Sequence, residues 1–458
     1  MDLEQAKEIV FEKKKNFASL YRHFGTTHWQ DYIEHTYPTS FNPSTHFIEL
    51  TSTLEKLLTP LLGKEKTARA THTLLKTGFV STCDHSGVLC HPFFSNSAYA
   101  RSLTLTATDS LITFTCGGVS LTNSSFPRSI FFHDKNLTLQ KLHLQSLAGR
   151  RRSVYGLAPF SQKQITRIIE QTKHLALDES AKQKLTAFLT QLHLNQHLRE
   201  TKYFSDQLVI INDLLWQTIF GDKRGSLVYV EAEQVVRQLF LDIHLHTKTP
   251  IHSLLFDKHI RETYLSHFEG IVGAHDRTTQ TGSDLFWYID ELHQTRVQLF
   301  IEEEYLVSKD HTISIPLTPE AIETHLRKYT LLPTMALSYS ILSFYYGLTL
   351  GGGFSQIDYL GDMKEAWDNT FNTKTPIKTD VFAGEFALLG ISDHIHTVPA
   401  TLFDVLLYAQ DPHITVNEAL SNVSIKESLD AMMDELVEIV SGTKPELANK
   451  LIPTFYVN

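Results

Sequence analysis

Apolar residues recur at helical spacing through most of the first 75 positions, which predicts helices over 3–24, 45–62 and a shorter piece after 65. The pattern then changes. GFVST (78–82) and LITFTC (111–116) are short apolar runs of β type, and each ends in small or polar residues. SIFF (129–132) and SVYGL (153–157) are further predicted strands. Helical spacing returns over 161–222, in three segments for which Ser161, Asp178 and Ser205 are the predicted N-caps. GSLVYVEAEQVVRQLF (225–240) predicts a strand running straight into a helix. VGAHDRTTQTGSD (272–284) predicts a loop, and DLFWYID and TRVQLFIEEEYLVS a strand hairpin. A helix capped by Thr318 follows, with Pro319 in its first turn. Residues 426–440 predict an amphipathic helix that ends at Gly442.

Strands that alternate with helices indicate an α/β chain with a Rossmann-like, largely parallel sheet covered by helices. The expected organisation is a helical N-terminal segment (1–75), a first α/β half (76–160), a helical insertion (161–225), and a second α/β half with C-terminal helices (226–458). No internal repeat or low-complexity segment interrupts it.

Three junctions share one form, a β-type run that ends in small and polar residues. They are STCDHSGVLCHPFFSNS (81–97), ITFTCGGVSLTNSSFPR (112–128) and GLTLGGGFSQIDYLGDMKEAW (347–367). Open α/β sheets bind ligands just beyond the carboxyl ends of their strands, so these junctions are where chemistry is expected. In the first, Asp84 and His85 are the candidate acid/base pair, with Asn96 and Ser97 as hydrogen-bonding groups. His133 follows a predicted strand and is expected to join them. In the second, Asn123, Ser124 and Arg128 are the candidate ligand contacts, with Arg128 as a clamp for a carboxylate or phosphate. In the third, Gly351, Gly352 and Gly353 allow close approach of backbone to a ligand, and Gln356 and Tyr359 add polar contacts. The bland alternative for this triplet is a tight turn at positive φ. Arg150, Arg151 and Arg152 form a basic run for which a solvated face is the default.

The cysteines and histidines of the first junction raise two further possibilities. Cys83, His85, Cys90 and His91 supply donor types suited to zinc, although their spacing matches no standard structural site. Cys90 beside His85 or His91 is the alternative of a thiolate nucleophile. The pairs His193/His197, His244/His246 and His394/His396 have same-face spacing, but 24 histidines make such coincidences common.

Composition narrows the function. The chain has 458 residues, 42% of them hydrophobic and 20% charged, as in an ordinary folded protein. A net charge of -10 argues against nucleic acid as partner. Three cysteines are too few for a disulfide framework, and the N-terminal stretch has no apolar signal core, so the cytoplasm is the expected location. Residues 329–357 carry no charge and are long enough for a membrane span, but Pro333 and the glycine triplet favour a buried helix that runs into a buried strand. The expectation is therefore a cytoplasmic enzyme for a small anionic metabolite or nucleotide, acting by group transfer or ligation, with a nucleotide favoured over a metal as cofactor. The alternatives are a metal-dependent hydrolase built on Asp84, His85 and His91, and a non-catalytic interaction protein on an enzyme-like fold.

Overall fold

The computed structural model describes residues 1–458 except 124–127, 147–150, 375, 446, 448–451 and 458. Five helices open the chain: α1 (Leu3–Lys13), α2 (Lys15–Phe24), α3 (Trp29–Thr36), α4 (Phe47–Leu62) and α5 (Lys64–Thr77). The helix expected over 3–24 is two, because Lys14 leaves helical geometry at φ -128°, ψ 82°. Gly78 closes α5 in the left-handed region and turns the chain into β1 (Phe79–Ser81). There follow α6 (Ser95–Ser102), β2 (Ser110–Thr115), β3 (Ser129–His133) and β4 (Leu139–His143). No strand forms over 153–157; there Tyr155 is buried and donates its hydroxyl to the Leu331 carbonyl at 2.9 Å.

The next segment holds α7 (Gln162–Thr172), α8 (Glu179–Leu194), α9 (Gln196–Glu200) and α10 (Phe204–Phe220). Asp178 caps α8 by accepting from Ala181 N, as expected. Ser205 is no cap, since α10 begins before it and its hydroxyl accepts from Gln234 Nε2 at 2.6 Å. α10 packs on β5 (Ser226–Glu231), which runs directly into α11 (Ala232–Leu239). Next come α12 (Pro250–Phe256), α13 (Lys258–Phe268), β6 (Phe286–Ile289), β7 (Arg296–Glu302), β8 (Tyr305–Ser308) and β9 (Ser314–Pro316). Thr318 caps α14 (Pro319–Arg327), which leads to β10 (Leu331–Pro333), α15 (Met335–Tyr339), β11 (Thr349–Gly351) and α16 (Gln356–Phe371).

The uncharged stretch 329–357 is thus a strand, a helix continued by a π turn, and a second strand. Among the described residues no helix is long and apolar enough to cross a membrane. The chain ends in β12 (Gly390–Ser392), β13 (Thr397–Pro399), α17 (Leu402–Tyr408), α18 (Pro412–Asn422), α19 (Ile425–Asp430), α20 (Met433–Ser441) and β14 (Thr454–Tyr456). The amphipathic helix expected over 426–440 is the pair α19 and α20.

One sheet is wholly parallel, in the order β11-β1-β2-β5. It pairs Ser81 with both Gly351 and Thr113, and runs from Ser110–Ser226 to Thr115–Glu231 along β2 and β5. Alternation along its strands divides the interior. Leu111, Leu227 and Tyr229 face a core shared with α6, α10 and the C-terminal helices, whereas Ile112, Phe114, Val228 and Val230 face one built with α4, α5 and α11. The expectation of a largely parallel sheet holds for these four strands and not beyond them. β10-β6-β7-β8-β9 is antiparallel, β3-β4 is an antiparallel pair, and β12 runs antiparallel to β13 but parallel to β14.

Candidate functional site

The parallel alignment continues past the ends of the strands, with isolated bridges His85–Cys116 and Gly352–Phe382. It therefore carries the residues after β1, β2 and β11 to one rim, where they line a cavity of about 480 Å³. Asp84 and His85 come from the β1 end and Cys116 from the β2 end. Glu233 comes from α11 behind β5, and Gly353 and Gln356 from the β11 end. The antiparallel sheet closes the opposite side with Trp287, Arg296 and Leu332.

Asp84 is 3% exposed. Its carboxylate accepts hydrogen bonds from the Tyr229 hydroxyl and, at 2.7 Å, from its neighbour's backbone His85 N. Burial outweighs both bonds and pushes its pKa up to about 7. His85 shifts the other way, to about 4, because burial disfavours the imidazolium. At neutral pH it is an uncharged ring, with Asn123 Nδ2 against its Nδ1.

Glu385 completes the acidic set. Burial lifts its pKa to about 7, opposed by the Phe354 N–H that donates to it at 2.8 Å and by Lys14, and reinforced by the Asp84 charge. Its backbone lies at φ +62°, in the left-handed region that a residue with a Cβ seldom occupies. Glu233 accepts from Gly117 N at 2.8 Å and Gly118 N at 3.1 Å, yet burial still raises its pKa. The Cys116 thiol donates to the same carboxylate at 3.3 Å and is pushed well above the ordinary thiol range by burial, then by that charge. A thiolate nucleophile is disfavoured there.

Arg296 supplies positive charge at the front of the cavity. Its guanidinium stands 4.7 Å from the centre of the Trp287 ring, a cation–π contact that holds it in place. Among the described residues no carboxylate lies within ion-pair distance of it, although it is close enough to act on Cys116. A Cβ at Gly118 would press on Leu332 Cδ2 at 3.1 Å and touch Glu233 Oε1 at 3.4 Å and Arg296 Nη1 at 3.7 Å, so the glycine lets these three side chains approach the same point.

The glycine triplet acts through space rather than through positive φ. A Cβ on Gly351 would lie 2.4 Å from the Phe79 ring, and one on Gly353 1.9 Å from Glu385 Oε2. A Cβ on Gly352 would meet Gln356 at 2.2 Å. These glycines therefore admit protein side chains, and of the three only Gly353 lines the cavity. Gln356 is fixed through Oε1, which accepts from Thr82 Oγ1 at 2.9 Å and the Tyr339 hydroxyl at 3.1 Å. Tyr359 reaches the same wall, and its hydroxyl contacts Met335 Sδ at 3.5 Å.

Other candidates lie elsewhere. Asn96 donates to the carbonyls of Pro92 and Phe386, and Ser97 to that of Phe94, which ties α6 into the core. Arg128 sits at the start of β3 near Lys141 and His143, outside the cavity lining. His133 holds Asp404 through its ring, Nδ1 to Oδ2 at 2.7 Å, and also lies outside this cavity. Ser124 and Arg150 fall outside the described residues. The alternative metal set does not converge: Cys83 contacts the Ser81 hydroxyl, Cys90 donates to the Val88 carbonyl, and His91 stacks on Phe94. Among the described residues no three His, Cys, Asp or Glu side chains form a metal-holding group.

Sequence reasoning missed Arg296, Glu233 and Glu385. Glu233 carried a usable signal, since it follows a strand that runs straight into a helix. Arg296 and Glu385 stand in a hairpin strand and an irregular segment, where local pattern points to no ligand. No protein-family model matches the chain, and no curated protein matches it significantly.

Proposed function

We propose that this chain is an enzyme that binds a small anionic molecule at the carboxyl ends of β1, β2 and β11 and catalyses a group transfer or ligation assisted by proton transfer. The observation that carries the reading is one cavity in which Asp84 and Glu385, both with pKa near 7, stand with a neutral His85 and an arginine that has no carboxylate partner among the described residues. Carboxyl groups poised near the working pH let one act as acid while the other acts as base. Arg296 clamps a carboxylate or phosphate. The four parallel strands supply the part of a Rossmann-like arrangement that such a site needs. A nucleotide is one ligand of the right charge, and the three free cysteines suit a cytoplasmic setting.

A thermal-shift screen of nucleotides and carboxylated metabolites tests this, because a ligand specific to the folded state raises the melting temperature, by about 2.7 kcal/mol of stability at a hundredfold excess over Kd. The expected result is a stabilising compound whose effect falls at least tenfold in affinity in Arg296→Ala. Anionic hits that bind the variant as well as the wild type overturn the clamp.

A further inference from the structure

A second cavity, of about 710 Å³, adjoins the first, and the two share His85, Ser355 and Glu385 as lining. Its chemistry is different. Phe93, Phe94, Phe131, Phe354 and Met432 form its walls, and aromatic rings with a methionine fit an apolar guest of irregular shape. Its polar groups bring no cation. His91, its basicity suppressed by burial, stacks on Phe94 at 4.5 Å, while His133 is engaged by Asp404. Glu435 and Glu438 stand on its lining and are engaged by Lys444. No lysine or arginine is among its described lining residues.

Charge therefore divides across the shared wall. The arginine lies in the first cavity, the hydrocarbon surface in the second, and Glu385 and His85 between them. The φ of +62° at Glu385 keeps its carboxylate in this dividing position, seated against Gly353. We propose that one amphiphilic substrate spans both cavities, with an anionic end under Arg296, its reacting group at the His85–Glu385 wall, and a hydrocarbon arm against Phe94 and Phe131. This rests on the reading of the first cavity as an anion site and extends it to a substrate class, an acid or phosphate that bears an apolar arm. Leu139 and Ile439, 37% and 61% exposed, mark where the second cavity opens to solvent.

The test is an NMR titration of the full chain with acetate, hexanoate and decanoate, repeated on Arg296→Ala and on the double variant Leu139→Asp/Ile439→Asp. Both positions of the double variant are partly or largely exposed, so its fold is retained, and a melting curve checks this. Affinity should rise about three- to fourfold for each methylene buried. The double variant should lose at least tenfold for decanoate and nothing for acetate, and Arg296→Ala should weaken all three acids. Equal affinity for every chain length, still dependent on Arg296, overturns the arm and leaves the anion site standing. Decanoate binding that ignores Arg296→Ala keeps the arm and overturns the anion site. No binding of any acid overturns both.

Discussion

Asp84 gives up water to occupy its position, and that cost sets a pH signature. In the unfolded chain it ionises near its ordinary 3.8, and in the folded chain near 7. Between those values the native state holds the extra proton, so this residue's contribution to stability falls as pH rises through the window. His85, lowered to about 4, acts in the opposite sense between there and 6.5. Asp84→Asn removes the first effect and the part of the Glu385 shift that comes from the Asp84 charge, and leaves the second. The variant should gain on the wild type by on the order of 2–3 kcal/mol between pH 5 and pH 8, read as the gap between urea midpoints. A gap that stays constant with pH would contradict the assignment. At this scale Asp84 and His85 were legible in the sequence because they lie in the loop that follows a strand within a few residues. Arg296 was not, because an exposed arginine on a hairpin strand looks like any solvated charge until the fold lays it over Trp287.

The strands that build the site are short, and their ends matter more than their middles. β1 and β11 have three residues each, and the Phe79 ring of β1 stacks on Tyr37, ring centres 4.9 Å apart. Gly351 leaves that ring its space. Gly351→Ala should destabilise the protein by about 1–3 kcal/mol through overpacking, seen as a lower melting temperature. An unchanged melting temperature would mean that Phe79 can move aside. Strands with a run of apolar residues bounded by glycine or polar turns, such as β1, β2 and β5, were readable from the chain alone. β4 was not, because LQKLH is half exposed and its partner β3 supplies the order. The run 153–157 failed the other way: Val154 and Leu157 are buried in a hydrophobic cluster and Tyr155 beside Ile289 and Leu332, its hydroxyl on the Leu331 carbonyl, without a strand ladder.

Across the molecule, the parallel sheet separates two cores and delivers its carboxyl edge to a space that the antiparallel sheet closes. Alternation of strands and helices announced the parallel part. It could not announce that residues 286–333 would fold back to form the front wall, because that contact depends on tertiary packing between segments far apart in sequence. Cys116 gives direct access to this space. It is half-buried in the cavity lining, whereas Cys83 and Cys90 are buried. The decisive measurement is the NMR signal of Cys116, labelled with 13C at Cβ, with and without the most stabilising anion from the thermal-shift screen; its protonated thiol makes it an unreactive reporter in the cavity lining. A ligand held under Arg296 against Asp84 and Glu385 should shift the Cys116 signal and leave that of buried Cys90 in place; an anion that stabilises the fold while the Cys116 signal stays where it was would place binding elsewhere and contradict the account.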